Sequence, residues 1–246
     1  MFENYSPRYK IGSLQPGAII ENGPYEFYRL APPGVMLVMI GIGFKEFSSN
    51  DVERVFAPLD TYLDQLLDRG VDLVMQNGVP LPILIGLEAH DRMVAHMADY
   101  TKLPATSTVL CVVRTAAEMG LRKISIANKW TEEMNKSLAA FFAREDVTVV
   151  SAATKPLRPA DFHRIDATEH MQLAYELGRR AFLDNADCDA VYIGGGSWIA
   201  EPVAVRLEAE FGKPVLCNQS AVIRHTMKML GAWKPISGHS RALATP

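Results

Sequence analysis

GVDLVMQNG at residues 70–78 and CDAVYIGGG at residues 188–196 are two versions of one segment. Each carries an aspartate (Asp72, Asp189), a run with the apolar character of a buried strand, and a polar, glycine-bearing strand end. A helix-length stretch follows each, and then a second matched segment, LPATSTVLCVVR at 103–114 and KPVLCNQSAVIR at 213–224. Pro104 and Arg114 in the first correspond to Pro214 and Arg224 in the second. This duplication implies two pseudo-symmetric, Rossmann-like α/β halves with mainly parallel sheets and an interdomain cleft. Residues 1–117 with 221–246 form the expected first half, and 118–220 the second. If the copies face each other, Asn77–Gly78 and Gly194–Gly195 stand on opposite walls of that cleft.

The rest of the chain fits the same scheme. Short apolar runs alternate with longer amphipathic ones, which predicts strands over 9–15, 35–42, 71–76, 104–107, 123–127, 147–152, 189–194 and 214–217. Helices are expected over 51–69, 85–100, 108–119, 131–143, 167–184, 199–210 and 219–230. Ser49-Asn50-Asp51, Thr131-Glu132-Glu133 and Asp166-Ala167-Thr168-Glu169 are helix starts, and Gly70, Gly120 and Gly231 are helix ends. VMLVMI at 35–40 is apolar on both faces, as a strand covered by helices on both sides should be. In such sheets ligands bind beyond the carboxyl ends of the strands. That rule selects Gln15, 41–47, 77–80, 128–130 and 194–198.

Bulk properties narrow the function. The chain has 246 residues, 48% hydrophobic and 22% charged, with a net charge of −3. Neither the charge nor any basic run suggests a nucleic-acid or anionic-membrane partner. MFENYSPRYK has no apolar signal region, and no apolar run is long enough for a membrane span, so a cytoplasmic location is expected. Cys111, Cys188 and Cys217 are odd in number and widely spaced, which disfavours a disulfide framework or structural zinc.

Local motifs leave the chemistry open. GGGS at 194–197, between a strand and a helix, could cradle an anion on backbone N–H groups or could be a tight turn without a ligand. It is not a dinucleotide fingerprint, because Ile199 and Ala200 occupy the positions where the last glycine would fall. The six histidines lack metal-ligand spacing, and only His163 lies in an irregular segment near the expected cleft. No G-x-S-x-G elbow is present, which argues against a serine hydrolase. No metal or cofactor is expected.

IGSLQP at 11–16, GIGF at 41–44, GVDLVMQNGVPL at 70–81, MGLRKISIANKWTEEMN at 119–135, RID at 164–166 and DAVYIGGG at 189–196 fall in order along the chain. Together they resemble the aspartate/glutamate racemase superfamily, in its arylmalonate decarboxylase and maleate cis–trans isomerase branch. The resemblance implies two similar α/β halves with an active site between them, where racemases use a cysteine from each strand end. Maleate isomerases use one of the pair as a nucleophile, and arylmalonate decarboxylases keep only the second. In this chain the two positions are Gly78 and Gly195, so both thiols are gone. Val79 and Pro80 replace hydroxyl residues after the first position, and Trp130 replaces a tyrosine.

The pocket positions that the resemblance implies are unusually aromatic: Phe44, Phe47, Trp130, Phe162 and Trp198. With Gln15, Gly78, Val79, Gly194, Gly195, Gly196 and Ser197 they form the expected substrate-binding set, suited to an aryl ligand. Lys45, Glu46, Asn77, Lys129 and His163 are the catalytic candidates. Lys45 or Glu46 is expected as acid/base, with Asn77 and the 194–197 backbone holding developing negative charge. The implied activity is a cofactor-independent carbon–carbon lyase on a small aromatic substrate, losing carbon dioxide or, by a retro-aldol-like step, formaldehyde. A lignin-derived aromatic dimer is one such substrate. The alternatives are a cis–trans isomerase or racemase of a small dicarboxylate, and a non-catalytic binding protein. A homo-oligomer is compatible with all three.

Overall fold

The computed structural model describes residues 6–158, 161 and 164–246. The first sheet contains β1 (Tyr9–Gln15), β2 (Val35–Gly41), β3 (Leu73–Gln76) and β4 (Ala105–Ser107), in the order β2-β1-β3-β4. The second contains β5 (Lys123–Asn128), β6 (Thr148–Thr154), β7 (Ala190–Gly194) and β8 (Val215–Cys217), in the order β6-β5-β7-β8. All pairings are parallel, and the two sheets have the same topology. In each, the strand order reverses beside the first strand formed. The crevices at these switch points open at Gln15 and Asn77 in one half and at Asn128 and Gly194 in the other.

Alternation along the strands divides the core into three layers. Leu73 and Met75 of β3 and Ile124, Ile126 and Tyr192 of the second sheet belong to one continuous apolar cluster. Their neighbours Val74, Ala127, Val191 and Ile193 face outward into separate clusters, one on each outer side. The central layer is filled from α1 (Asn22–Leu30), α6 (Thr108–Glu118), α7 (Glu132–Ala143), α10 (Asn218–Met229) and α11 (Arg241–Ala244). The outer layers are filled by α2 (Ser49–Phe56), α3 (Leu59–Leu67) and α5 (Leu87–Thr101) on one side. On the other are α8 (Ala167–Asp184) and α9 (Glu201–Phe211).

The matched aspartates are structural. Asp72 accepts the Lys10 N–H at 2.7 Å, and Asp189 accepts the N–H groups of Arg122 and Lys123, both at 2.8 Å. Each carboxylate therefore anchors the start of the neighbouring strand, which explains its recurrence in the repeat.

Helix boundaries differ from the sequence reading where proline and glycine intervene. The stretch read as one helix over 51–69 is two, α2 and α3, divided at Pro58, and Ser48 supplies the cap of α2 by accepting the Asp51 N–H. The helix expected from residue 85 is preceded by α4 (Pro80–Ile85), with Gly86 at φ +79° as the break. Helix α1 lies where no element was expected; its Pro24 falls in the first turn, where it lacks only an N–H that would go unbonded anyway.

Asp189→Ala should lower the free energy of unfolding in urea by about 1–2 kcal/mol, and Asp72→Ala, which releases one N–H, by less. Burial raises the Asp189 pKa, but the Arg122 and Lys123 N–H groups outweigh it, so the net shift is downward. The folded pKa being depressed, this contribution is present above the ordinary value of 3.8 and lost as pH falls below it. Asp189→Ala should therefore flatten the acid limb of the stability profile.

Candidate active site

A cleft of about 1030 Å³ opens at the carboxyl ends of both sheets, and its lining includes Gly78 and Gly195. On the first-half wall, β1 and β3 deliver Gln15, Asn77 and Gly78. Gly78 has φ +88°, a conformation that favours glycine, and a Cβ there would lie 3.0 Å from Pro16 Cγ. Its N–H donates to Thr108 Oγ1 at 3.0 Å, and that hydroxyl donates to Asn77 Oδ1 at 3.0 Å. Thr108 thus fixes the Asn77 amide from the neighbouring strand end. The loop 43–47 closes this side. Asp51 accepts the Lys45 and Glu46 N–H groups at 2.6 and 2.9 Å, and the Phe44 and Phe47 rings lie 5.9 Å apart.

On the second-half wall the turn after β5 is locked by two asparagines. Asn128 Oδ1 accepts the Trp130 N–H at 3.0 Å, and Asn128 Nδ2 donates to Asn135 Oδ1 at 2.6 Å. The turn aims Lys129 at the glycine turn after β7, where Nζ donates to Ser197 Oγ at 2.8 Å and lies 4.7 Å from the Trp198 ring centroid. Lys129 is only 1% exposed, and burial pushes its pKa down from 10.5 to about 6. The amine therefore becomes mostly neutral as pH rises past 6, which equips it to take a proton or to give one back.

Helix α1 reaches across from the first half to hold this turn. Asn22 Nδ2 donates to the Ser197 carbonyl at 3.1 Å, and Glu26 Oε1 accepts the Ala200 and Glu201 N–H groups at 2.6 and 2.7 Å. Burial raises the Glu26 pKa to about 8, against the lowering effect of those two N–H groups.

Most of the expected site residues meet here. Gln15, Phe44, Lys45, Glu46, Phe47, Asn77, Gly78, Lys129, Trp130, Gly195, Gly196 and Ser197 all line the cleft. Three do not. Val79 is fully buried in the central core, as the apolar side of the turn into α4. Trp198 is fully buried too; it is packed in the outer core behind the glycine turn and backs Lys129 instead of forming an aryl-binding wall. Gly194 lies beneath Trp130, and a Cβ there would come within 2.9 Å of Trp130 Cη2 and 3.0 Å of Tyr192 Cε1. Phe162 and His163 lie outside the described residues. Lys45 and Glu46 are exposed at the rim, so the apolar enclosure that would tune Lys45 as an acid/base is absent there, while Lys129 has it.

Pro16 and the segment 17–23, Thr131, 156–158, Arg164 and Gln219 also line the cleft without having been expected there. The segment 17–23 follows a switch-point strand, a signal that could have found it. Gln219 sits in the matched segment 213–224 two residues after β8, and no local pattern marks it as a wall residue. At the mouth, Arg158 pairs with Asp161 at 2.8 Å. No cysteine lines the cleft; Cys111, Cys188 and Cys217 are all buried elsewhere. Among the described residues there is no group of three or more potential metal ligands, and no helix is long and apolar enough to cross a membrane.

Two similar α/β halves thus meet at one cleft, into which both switch points open. A sequence model of arylmalonate decarboxylase matches residues 14–243, and the chain belongs to that family. It is 20% identical to arylmalonate decarboxylase of Bordetella bronchiseptica over 200 residues, covering 81% of this chain and 82% of that one. The fold superposes on a liganded double mutant of arylmalonate decarboxylase with a TM-score of 0.84 at 20% identity, over 96% of this chain and 98% of the other. It also matches a Nocardia farcinica maleate cis–trans isomerase mutant carrying a covalently bound succinylcysteine intermediate. There the TM-score is 0.82 at 15% identity, over 96% and 98% of the chains.

The two buried ionisable groups predict opposed pH effects on stability. Lys129, with its folded pKa depressed to about 6, makes stability rise with pH between 6 and 10.5, by at most about 1.4 kcal/mol per pH unit. Glu26, raised from 4.5 to about 8, makes stability fall over that interval. Between pH 6 and 8 the slopes offset each other. In urea unfolding, Lys129→Met should uncover a falling profile there, and Glu26→Gln a rising one.

Proposed function

We propose that the protein is a cofactor-independent carbon–carbon lyase acting on an aryl-substituted small molecule, with Lys129 as its acid/base group. The observation that carries this reading is the buried Lys129 amine in a cleft lined by no thiol. Phe44, Phe47, Trp130, Leu157 and Pro80 supply apolar surface, and a cleft of about 1030 Å³ has room for two aromatic rings. A lignin-derived aromatic dimer bearing a hydroxymethyl group fits such a space.

A neutral amine favours the retro-aldol-like route. Lys129 Nζ removes the hydroxyl proton of a hydroxymethyl group. The oxygen electron pair becomes the second bond of formaldehyde, and the carbon–carbon pair passes to the carbon next to the ring. That carbanion delocalises into the aryl ring, with the Asn77 amide in the cleft wall as a hydrogen-bond donor to the developing charge, until the Lys129 ammonium returns the proton to carbon. Loss of carbon dioxide runs through a similar carbanion but requires an ammonium from the outset. The pH at which the enzyme works best therefore separates the two.

With a hydroxymethyl-bearing aryl substrate, kcat/KM should rise as pH passes through about 6, with formaldehyde released in step with the product. Activity that falls across that range, with carbon dioxide released, would assign the decarboxylation route. Lys129→Met should lower kcat by about 10²–10⁴. Lys45→Ala should cost less than about tenfold, and joint replacement of Cys111, Cys188 and Cys217 should leave kcat within a few-fold where the fold survives. Full activity in Lys129→Met would overturn the assignment.

A further inference from the structure

We propose that Lys129 also captures carbonyl groups, forming a reversible Schiff base with aryl aldehydes and ketones that enter the cleft. This rests on the reading of the cleft as an aryl-binding site. Three features of the geometry support it. The amine is buried in the second-half wall yet lines the cleft, so a carbonyl compound reaches it from the cleft side. Ser197 Oγ, 2.8 Å from Nζ, is within reach to relay a proton. The Trp198 indole, 4.7 Å from Nζ, presents an aromatic face to whatever cation the nitrogen carries.

The chemistry balances without an oxidant or cofactor. The Nζ lone pair adds to the carbonyl carbon, the C–N bond forms, and the carbonyl π pair moves to oxygen. Ser197 passes a proton from nitrogen to that oxygen. With one further proton the carbinolamine loses water and the C=N bond forms. Amine, carbonyl compound and one proton thus become iminium ion and water. The iminium places a single positive charge over the indole face, so capture creates a cation–π contact that the neutral amine lacks. Burial also holds the amine neutral above a pH of about 6, whereas a solvated surface lysine is protonated there. Its burial in the cleft wall therefore makes Lys129 the amine placed to capture a carbonyl ligand that enters there. The ligand class that follows is an aromatic ring carrying an aldehyde or ketone, a class for which the apolar lining supplies affinity and Lys129 a covalent anchor.

The test is borohydride trapping on the full-length protein with benzaldehyde as the probe at pH 7.5, read by intact mass and by peptide mapping. One benzyl group per chain on the Lys129 peptide is expected, with labelling at least tenfold faster than at any other lysine. Ser197→Ala should slow it, and Lys129→Met, checked for folding by circular dichroism, should lose it. If Lys129→Met does not fold, protection of Lys129 from labelling by an excess of a non-carbonyl aryl ligand serves instead. Labelling spread evenly over the lysines, or no borohydride-dependent adduct at Lys129, would overturn the proposal. The result is independent of turnover. Labelled Lys129 in a protein that releases neither formaldehyde nor carbon dioxide keeps this proposal and sinks the lyase reading. Lysine-dependent turnover without labelling does the reverse.

Discussion

The central apolar layer shared by the two sheets is the constraint on which the site depends. Met75, Ile126, Tyr192 and Leu216 enter it from the strands, and Val112, Phe142 and Val222 from the helices between them. Each such side chain contributes on the order of 1.5–3 kcal/mol by burial, against about 1 kcal/mol for a typical hydrogen bond. The layer therefore outweighs the polar contacts in setting how the halves are oriented. With the sheets joined this way, both switch-point crevices open into one cleft.

Within that frame the second-half wall is built by exchanging side-chain volume between positions. Glycine at 194 leaves the space into which Trp130 packs, and glycine at 195 adjoins the Trp198 indole. The Trp198 indole in turn backs the Lys129 amine. Helix α1 then pins the same turn from the opposite half through Asn22 and Glu26.

Relatives of this fold include a maleate isomerase observed with a covalent succinylcysteine. Here glycines stand at the two strand ends, and every cysteine is buried away from the cleft. The ionisable group that this cleft holds in low dielectric is a lysine from the turn after β5. An amine in such a place differs from a thiol in sign: burial drives it toward its neutral, proton-accepting form, whereas burial drives a thiol away from its reactive anion.

Much of the architecture was legible from local pattern. The duplicated segments announced two equivalent halves. The strand positions followed from apolar runs, and the strand ends from the polar, glycine-bearing residues that close them. The cleft residues at the strand ends were found in this way, because the switch-point rule converts topology into location, whereas the segments 16–23 and 156–158, Thr131, Arg164 and Gln219 fall outside the positions it selects. Other features came only with the tertiary structure. Val79 and Trp198 read as wall residues from their place at strand ends, but their rings and methyl groups turn into the core, a choice made by packing partners distant in sequence. Lys45 and Lys129 look alike as lysines near strand ends. Only the structure leaves the first in solvent and buries the second against Ser197 and the Trp198 indole. Burial, and with it the protonation state of the amine, is a sum over neighbours that the linear order of residues does not contain.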